Sequence, residues 1–113
     1  MKDYRQIAKE YGEGYARLRE GLEAPLAGFG ELARGAVGDG ALDRKTKELI
    51  GFAIAIISRC DGCIATHARS VVRAGASREE AQEVVAVAIF MGGGPASVYG
   101  VEAMRAFDQF AER

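Results

Sequence analysis

Two cysteines separated by two residues, Cys60 and Cys63, have the clearest capacity for chemistry in this sequence. They are the only cysteines of the chain, and such a pair in a reducing compartment is more often catalytic or metal-binding than structural. At the start of a helix, unpaired backbone N–H groups and the positive end of the helix dipole favour the thiolate over the thiol. The pair therefore predicts a thiol-redox centre whose two sulfurs, one helical turn apart, form a reversible disulfide.

The only histidine of the chain, His67, follows Cys63 by four residues. At about 100° per residue of a helix, Cys60, Cys63 and His67 lie within roughly 60° of one another, so one substrate could meet all three. An imidazole exchanges protons near neutral pH. We interpret His67 as a proton-handling partner of the cysteines rather than as an isolated surface histidine.

Glu48 is a second candidate for proton transfer, because its helical stripe continues through Gly51, Phe52 and Ala55, which have the character of core residues. Burial disfavours the charged form of a carboxyl group, and a carboxylate so placed can act as a general base. The alternative is a solvated glutamate, since acidic residues are common in the first turns of helices. The sequence leaves both interpretations open.

Two other classes of function fit the same residues. Cys60, Cys63, His67 and Glu48 form a plausible ligand set for zinc. The CxxC pair could also belong to an oligomeric protein that senses redox state and binds partners without turnover. Thiol-redox chemistry remains the preferred interpretation, and it requires no bound cofactor.

The elements that must position these residues are helices, because apolar residues recur at intervals of three and four and strict alternation is absent. Asp43 is a good N-cap, Ser77 with Glu80 has the spacing of a capping box, and Gly75 suits a helix C-terminus. We expect an all-α, compact six-helix domain over residues 1–113, in which 1–38 form N-terminal helices and 42–107 carry the redox motif. The six predicted helices span 4–19, 25–37, 44–58, 60 or 61 to 74, a segment that begins after Ser77, and a last one that begins at Pro95.

Composition limits the possible partners and compartments. The 113 residues include 15 Lys plus Arg and 16 Asp plus Glu, so no basic patch predicts nucleic-acid binding. The polar N-terminus lacks the apolar core of a secretion signal, so we expect a cytoplasmic protein. The longest apolar run, 49–57, is shorter than the roughly 20 residues that cross a bilayer. Because 49–57 and 84–90 are apolar nearly all round, we also expect a homo-oligomer.

The ordered set Glu48, Cys60, Cys63 and His67 resembles the active-site signature of the alkylhydroperoxidase D-like proteins of the carboxymuconolactone decarboxylase superfamily, over roughly 42–107. The resemblance implies an all-helical homo-oligomer, a trimer or hexamer. Its CxxC would reduce organic hydroperoxides through a sulfenic acid and a disulfide, with Cys63 attacking the peroxide. Cys60 would supply a proton and close the disulfide, while Glu48 and His67, with a water, relay the proton away. A dithiol donor such as a lipoyl group or a thioredoxin-like protein would then reduce the disulfide.

The sequence departs from that family in two places. The full-length alkylhydroperoxidase D proteins carry a second, degenerate helical unit, whereas this chain has one. Between its cysteines it has Asp61 and Gly62, where those proteins often have a second histidine. The decarboxylase branch matches this chain in size but lacks the CxxC, so lactone decarboxylation is the weaker expectation.

Overall fold

Six helices and no strands make up residues 1–112, the part of the chain that the computed structural model describes. The helices are α1 (Tyr4–Gly21), α2 (Glu23–Val37), α3 (Arg44–Ser58), α4 (Asp61–Arg73), α5 (Arg78–Gly92) and α6 (Gly94–Ala111). The predicted all-α, six-helix fold is confirmed, and each predicted helix start differs from the observed one by less than a turn.

Local hydrogen bonds explain why the helices begin and end at these residues. The Asp43 carboxylate accepts the N–H of Thr46 at 2.8 Å and caps α3. The Ser77 hydroxyl and the Glu80 carboxylate each accept the other residue's backbone N–H, which is the capping box predicted for α5. Gly75 ends α4 at a φ of 87°, a left-handed conformation that glycine adopts without strain. The sequence signals for these boundaries are therefore borne out.

The core is centred on α4, which packs against α1, α3 and α6, while α5 packs against α3 and α6. The buried face of α4 is aliphatic and consists of Ile64, Ala65, Ala68 and Val71. The two alanines allow neighbouring helices to approach closely. Gly100 of α6 allows a similar approach to α5, because a Cβ there would stand 2.8 Å from Cγ1 of Val85. The helix whose N-terminus carries the cysteines, α4, is thus held by three other helices.

A large apolar surface lies outside this core. Ile50, Ile54 and Ile57 form one exposed stripe along α3, and Ile54 is 59% exposed. Phe90 of α5 is 84% exposed, and α2 buries none of its residues. No helix among residues 1–112 is long and apolar enough to cross a membrane. Exposed apolar faces of this kind often mark protein–protein interfaces, so the prediction of a homo-oligomer rests on them.

Candidate active site

The first cysteine caps the helix that carries the second. After α3 ends at Ser58, Arg59 adopts a left-handed conformation with φ 54°, and Cys60 follows in an extended conformation. The Cys60 sulfur accepts the backbone N–H of Cys63 at 3.2 Å, in the place usually taken by a serine or aspartate oxygen. The Cys60 sulfur is therefore hydrogen-bonded to one of the backbone N–H groups that have no partner within the helix, at the positive end of α4.

The second cysteine has a different environment. Cys63 is the third residue of α4 and packs, partly buried, against the hydrophobic core. A hydrogen bond with Cys60, followed by burial, raises the pKa of the Cys63 thiol to about 11. The hydrogen bond and burial therefore oppose the thiolate at Cys63, against the effect expected from the helix N-terminus. Both cysteines are free thiols in the structure.

His67 lies one turn beyond Cys63 on α4 and packs against the backbone of α3 at Gly51. A Cβ at Gly51 would stand 3.0 Å from Nδ1 of His67 and 3.1 Å from its Cε1, so even an alanine at this position would crowd the ring. The Nδ1 atom is buried and has no hydrogen-bond partner among the described residues. Because buried polar atoms are usually paired, this ring nitrogen is a candidate for a functional role.

Glu48 is buried, with 6% of its surface exposed, as its helical stripe predicts. The interpretation of Glu48 as a solvated surface glutamate is therefore wrong. Its side chain lines a cavity of about 290 Å³ together with Arg44, Ser70 and Arg73. The two arginines bring positive charge to the wall of this cavity, and the cavity gives the Glu48 carboxyl group access to solvent.

The antiparallel contact between α3 and α4 brings these groups together. Gly51 contacts His67. One turn earlier on α3, Glu48 shares its cavity with Ser70, which lies one turn after His67 on α4. Glu48 and His67 are therefore about one helical turn apart across the helix interface, while Cys63 is one turn from His67 on the other side. Among residues 1–112, no direct hydrogen bond joins Glu48 or His67 to a cysteine, whereas the Cys60 sulfur accepts the backbone N–H of Cys63.

The same residues do not form a metal site. Within the described part of the chain, no three histidine, cysteine, aspartate or glutamate side chains are grouped so that they could hold a metal ion. The zinc-binding alternative requires such a group. The geometry therefore lends it no support.

Three contributors to the site were missed by the sequence interpretation, which gave α1 no chemical role. Lys2, which precedes α1, forms an ion pair of 2.8 Å with Asp61, a residue between the two cysteines in the sequence. The Tyr11 phenol of α1 lies near both thiols: its pKa is raised by burial, then by neighbouring Tyr15, and then by Cys63 and Cys60. Gly51 makes room for His67. The apolar stripe of α1 could have suggested a buried face but not its position over the cysteines.

Comparison with known proteins identifies relatives along most of the chain. Residues 23–106 match the model of the carboxymuconolactone decarboxylase family. An uncharacterised protein of Cupriavidus necator is 34% identical over 106 residues, which cover 94% of each chain. An uncharacterised protein of Paracoccus denitrificans, from its cox locus, is 36% identical over 81 residues, which cover 72% of this chain and 73% of the relative.

Solved structures agree with these relatives. A carboxymuconolactone decarboxylase family protein from Legionella pneumophila, crystallised in its apo form, superposes with a TM-score of 0.94 at 41% identity, covering 96% of this chain and 97% of its own. A family member from Thermotoga maritima, named as possibly involved in an antioxidative response, gives a TM-score of 0.76 at 30% identity, and the match covers 88% of each chain.

Proposed function

The chain belongs to the carboxymuconolactone decarboxylase family, and from this premise we propose that it is a thiol-dependent peroxidase of the alkylhydroperoxidase D-like type. The observation that carries the proposal is the pair of free thiols at the N-terminus of α4, of which one caps the helix and is hydrogen-bonded to the other. The association of the Thermotoga relative with an antioxidative response supports the same class of activity.

The proposed reaction consumes one hydroperoxide and oxidises two thiols. A thiolate of the CxxC attacks the terminal oxygen of the hydroperoxide, the O–O bond breaks, and the alcohol leaves with a proton. The attacked cysteine becomes a sulfenic acid. The other cysteine then displaces its hydroxyl, which leaves as water, and the Cys60–Cys63 disulfide remains. The family resemblance gives the attack to Cys63 and the closure to Cys60.

Glu48 and His67 are the proposed proton carriers. His67 stands one turn from Cys63, and Glu48 one turn farther along the interface between α3 and α4. Neither group touches a sulfur directly, so a water molecule would complete the relay. The cavity lined by Arg44 and Arg73 gives the proton an exit to solvent. Burial of Glu48 supports this role, because a carboxyl group in the core without function would be expensive.

The proposed partners follow from the same chemistry. A disulfide between the cysteines must be reduced after each cycle, and a dithiol such as a lipoyl group or a thioredoxin-like protein supplies the two electrons. We propose a cytoplasmic homo-oligomer, a trimer or hexamer, in which the exposed isoleucine stripe of α3 contacts another copy. No bound cofactor takes part.

A single assay tests the proposal. Consumption of cumene hydroperoxide is followed with dihydrolipoamide as the electron donor, and the Cys63→Ser variant is the control. We expect turnover by the wild type and none by the variant, which cannot form the disulfide. A wild type that consumes no more hydroperoxide than the variant would overturn the peroxidase proposal. If its disulfide still formed reversibly, the redox-sensing alternative would take its place.

A further inference from the structure

A second cavity, which we call the basic cavity, lies between α1, the C-terminal half of α4 and the end of α6, and measures about 450 Å³. Two helices supply its four cationic side chains: Arg5 and Lys9 from α1, and Arg69 and Arg73 from α4. No acidic residue among 1–112 lines it. The whole chain has 15 Lys plus Arg against 16 Asp plus Glu. This concentration of positive charge is therefore local, and the packing of α1 against α4 produces it.

The carboxylates of the described chain are engaged away from these four cations. Its ion pairs are formed by other basic residues, namely Lys2, Lys45, Arg78 and Arg105. Glu10 accepts a hydrogen bond from Gln6 at 3.0 Å, and Asp108 pairs with Arg78 at 2.8 Å. Like charges in one cavity repel each other unless an opposite charge lies among them. Since residues 1–112 place no carboxylate there, a bound anion would supply the opposite charge.

Arg5 is held in place at the edge of the basic cavity by uncharged groups. Its Nε donates to the carbonyl oxygen of Gln109 at 2.9 Å, and its Nη2 donates to that of Glu112 at 2.7 Å. The guanidinium group also lies 5.4 Å from the centroid of the Phe110 ring. These contacts fix the cation without neutralising it. The rest of the lining is apolar: Ala8, Val72 and Phe110. Fixed positive charge beside an apolar wall suits an anion that carries an apolar group.

From this arrangement we propose that the basic cavity binds a small organic phosphate, with the phosphate group on Lys9 and Arg69 and the organic group against Val72 and Phe110. A phosphate monoester carries a charge of about −1.5 to −2 at pH 7 and three strong acceptor oxygens, so it can engage several cations at once. Guanidinium groups match phosphate oxygens in pairs. The volume lies within the range of about 300 to 1,000 Å³ that is usual for small-molecule sites. Neither cysteine lines this cavity, so the inference goes beyond the proposed peroxidase and does not depend on it.

Calorimetric titration of the full chain with phenyl phosphate tests the proposal at low salt and neutral pH. We expect phenyl phosphate to bind about tenfold more tightly than inorganic phosphate, because its ring removes apolar surface from water. Arg69→Gln and Lys9→Gln should each weaken binding of phenyl phosphate by at least about tenfold, since each removes a charged hydrogen-bond donor. Arg17→Gln is the matched control: it removes the same charge from an exposed position of α1 outside the cavity. Its affinity should stay within about twofold of wild type, because salt and solvent screen a distant surface charge.

The outcomes separate a built site from general attraction between charges. No binding at millimolar phenyl phosphate would overturn the proposal, and so would equal weakening by Arg69→Gln and Arg17→Gln. Lys9 is exposed, so the loss expected in Lys9→Gln is independent of any effect of Arg69→Gln on folding. Flotation with vesicles of phosphatidic acid in phosphatidylcholine distinguishes the two sources of a phosphate ester. Flotation of the wild type that Lys9→Gln abolishes would assign the site to a lipid headgroup, whereas binding of phenyl phosphate without flotation would assign it to a soluble ester. No hydroperoxide is used, so these results stand apart from the peroxidase assay.

Discussion

Replacing Gly51 by alanine tests whether the position of His67 matters for the chemistry. The new Cβ would lie 3.0 Å from Nδ1 and 3.1 Å from Cε1 of His67, whereas unstrained contacts lie at about 3.5 to 4.0 Å. The ring must therefore move by about half an ångström. Because a misplacement of about 1 Å can cost 10²-fold in rate, we expect disulfide formation to slow by roughly tenfold. The gain in helix propensity, about 0.5 to 1 kcal/mol, should offset part of an overpacking cost of about 1 to 3 kcal/mol.

The assay separates these two effects. Disulfide formation after one equivalent of cumene hydroperoxide is followed by titration of the remaining thiols, and urea unfolding gives the stability of the same samples. Gly28→Ala is the control, because Gly28 is an exposed helical glycine with no atom within 4 Å of the new Cβ. It should gain about 0.5 to 1 kcal/mol and keep the wild-type rate. If Gly51→Ala also formed the disulfide at the wild-type rate, His67 would have no part in proton transfer.

Three further predictions concern the fold that holds the site. Tyr4→Phe removes the hydrogen bond that the buried Tyr4 hydroxyl donates to the Glu102 carboxylate, so urea unfolding should show a loss of about 1.5 to 3 kcal/mol. That bond lowers the pKa of Glu102 below its ordinary value of 4.5, so its stabilisation is complete above about pH 4.5 and is lost as the pH falls through the folded-state pKa. The melting temperature of the wild type should therefore fall more steeply toward pH 3 than that of Tyr4→Phe, and parallel curves would contradict the linkage. Ile54→Glu, in the exposed stripe of α3, should convert the proposed oligomer to a monomer in light scattering, whereas a wild type already monomeric at micromolar concentration would refute the proposed oligomer. Gly100→Ala, whose Cβ would lie 2.8 Å from Cγ1 of Val85, should lose about 1 to 3 kcal/mol in urea unfolding, and unchanged stability would mean that α5 and α6 separate at little cost.

The sequence predicts the features of this protein that depend on local spacing. The capping box of Ser77 and Glu80, and the CxxC at the start of α4, need only residues within one turn of each other. The burial of Glu48 can also be predicted from the sequence, because a helical stripe shows which side of a helix is apolar. Such signals are set by the chain itself before any tertiary contact forms.

Contacts between distant segments were not predictable in this way. Lys2 reaches Asp61 across 59 positions of sequence, and no periodicity relates the two. The different surroundings of the two cysteines depend on which sulfur accepts the backbone N–H group and which side chain packs against the core. A motif read as two equivalent cysteines contains neither fact. The ring of His67 against Gly51 likewise requires the crossing of α3 and α4, which the spacing of apolar residues does not determine.

The raised pKa of Cys63 is a physical reason for a base at this site. The hydrogen bond with Cys60, and then burial, raise the pKa of the Cys63 thiol to about 11, so the protonated thiol is its dominant form at pH 7. General-base catalysis typically contributes roughly 10² to 10⁴ in rate, and the relay that we propose through His67 and Glu48 would remove the Cys63 proton when the thiolate is needed. His67 lies one turn from Cys63 on α4, and Glu48 lies one turn farther along the facing helix α3, which is where such a relay is required.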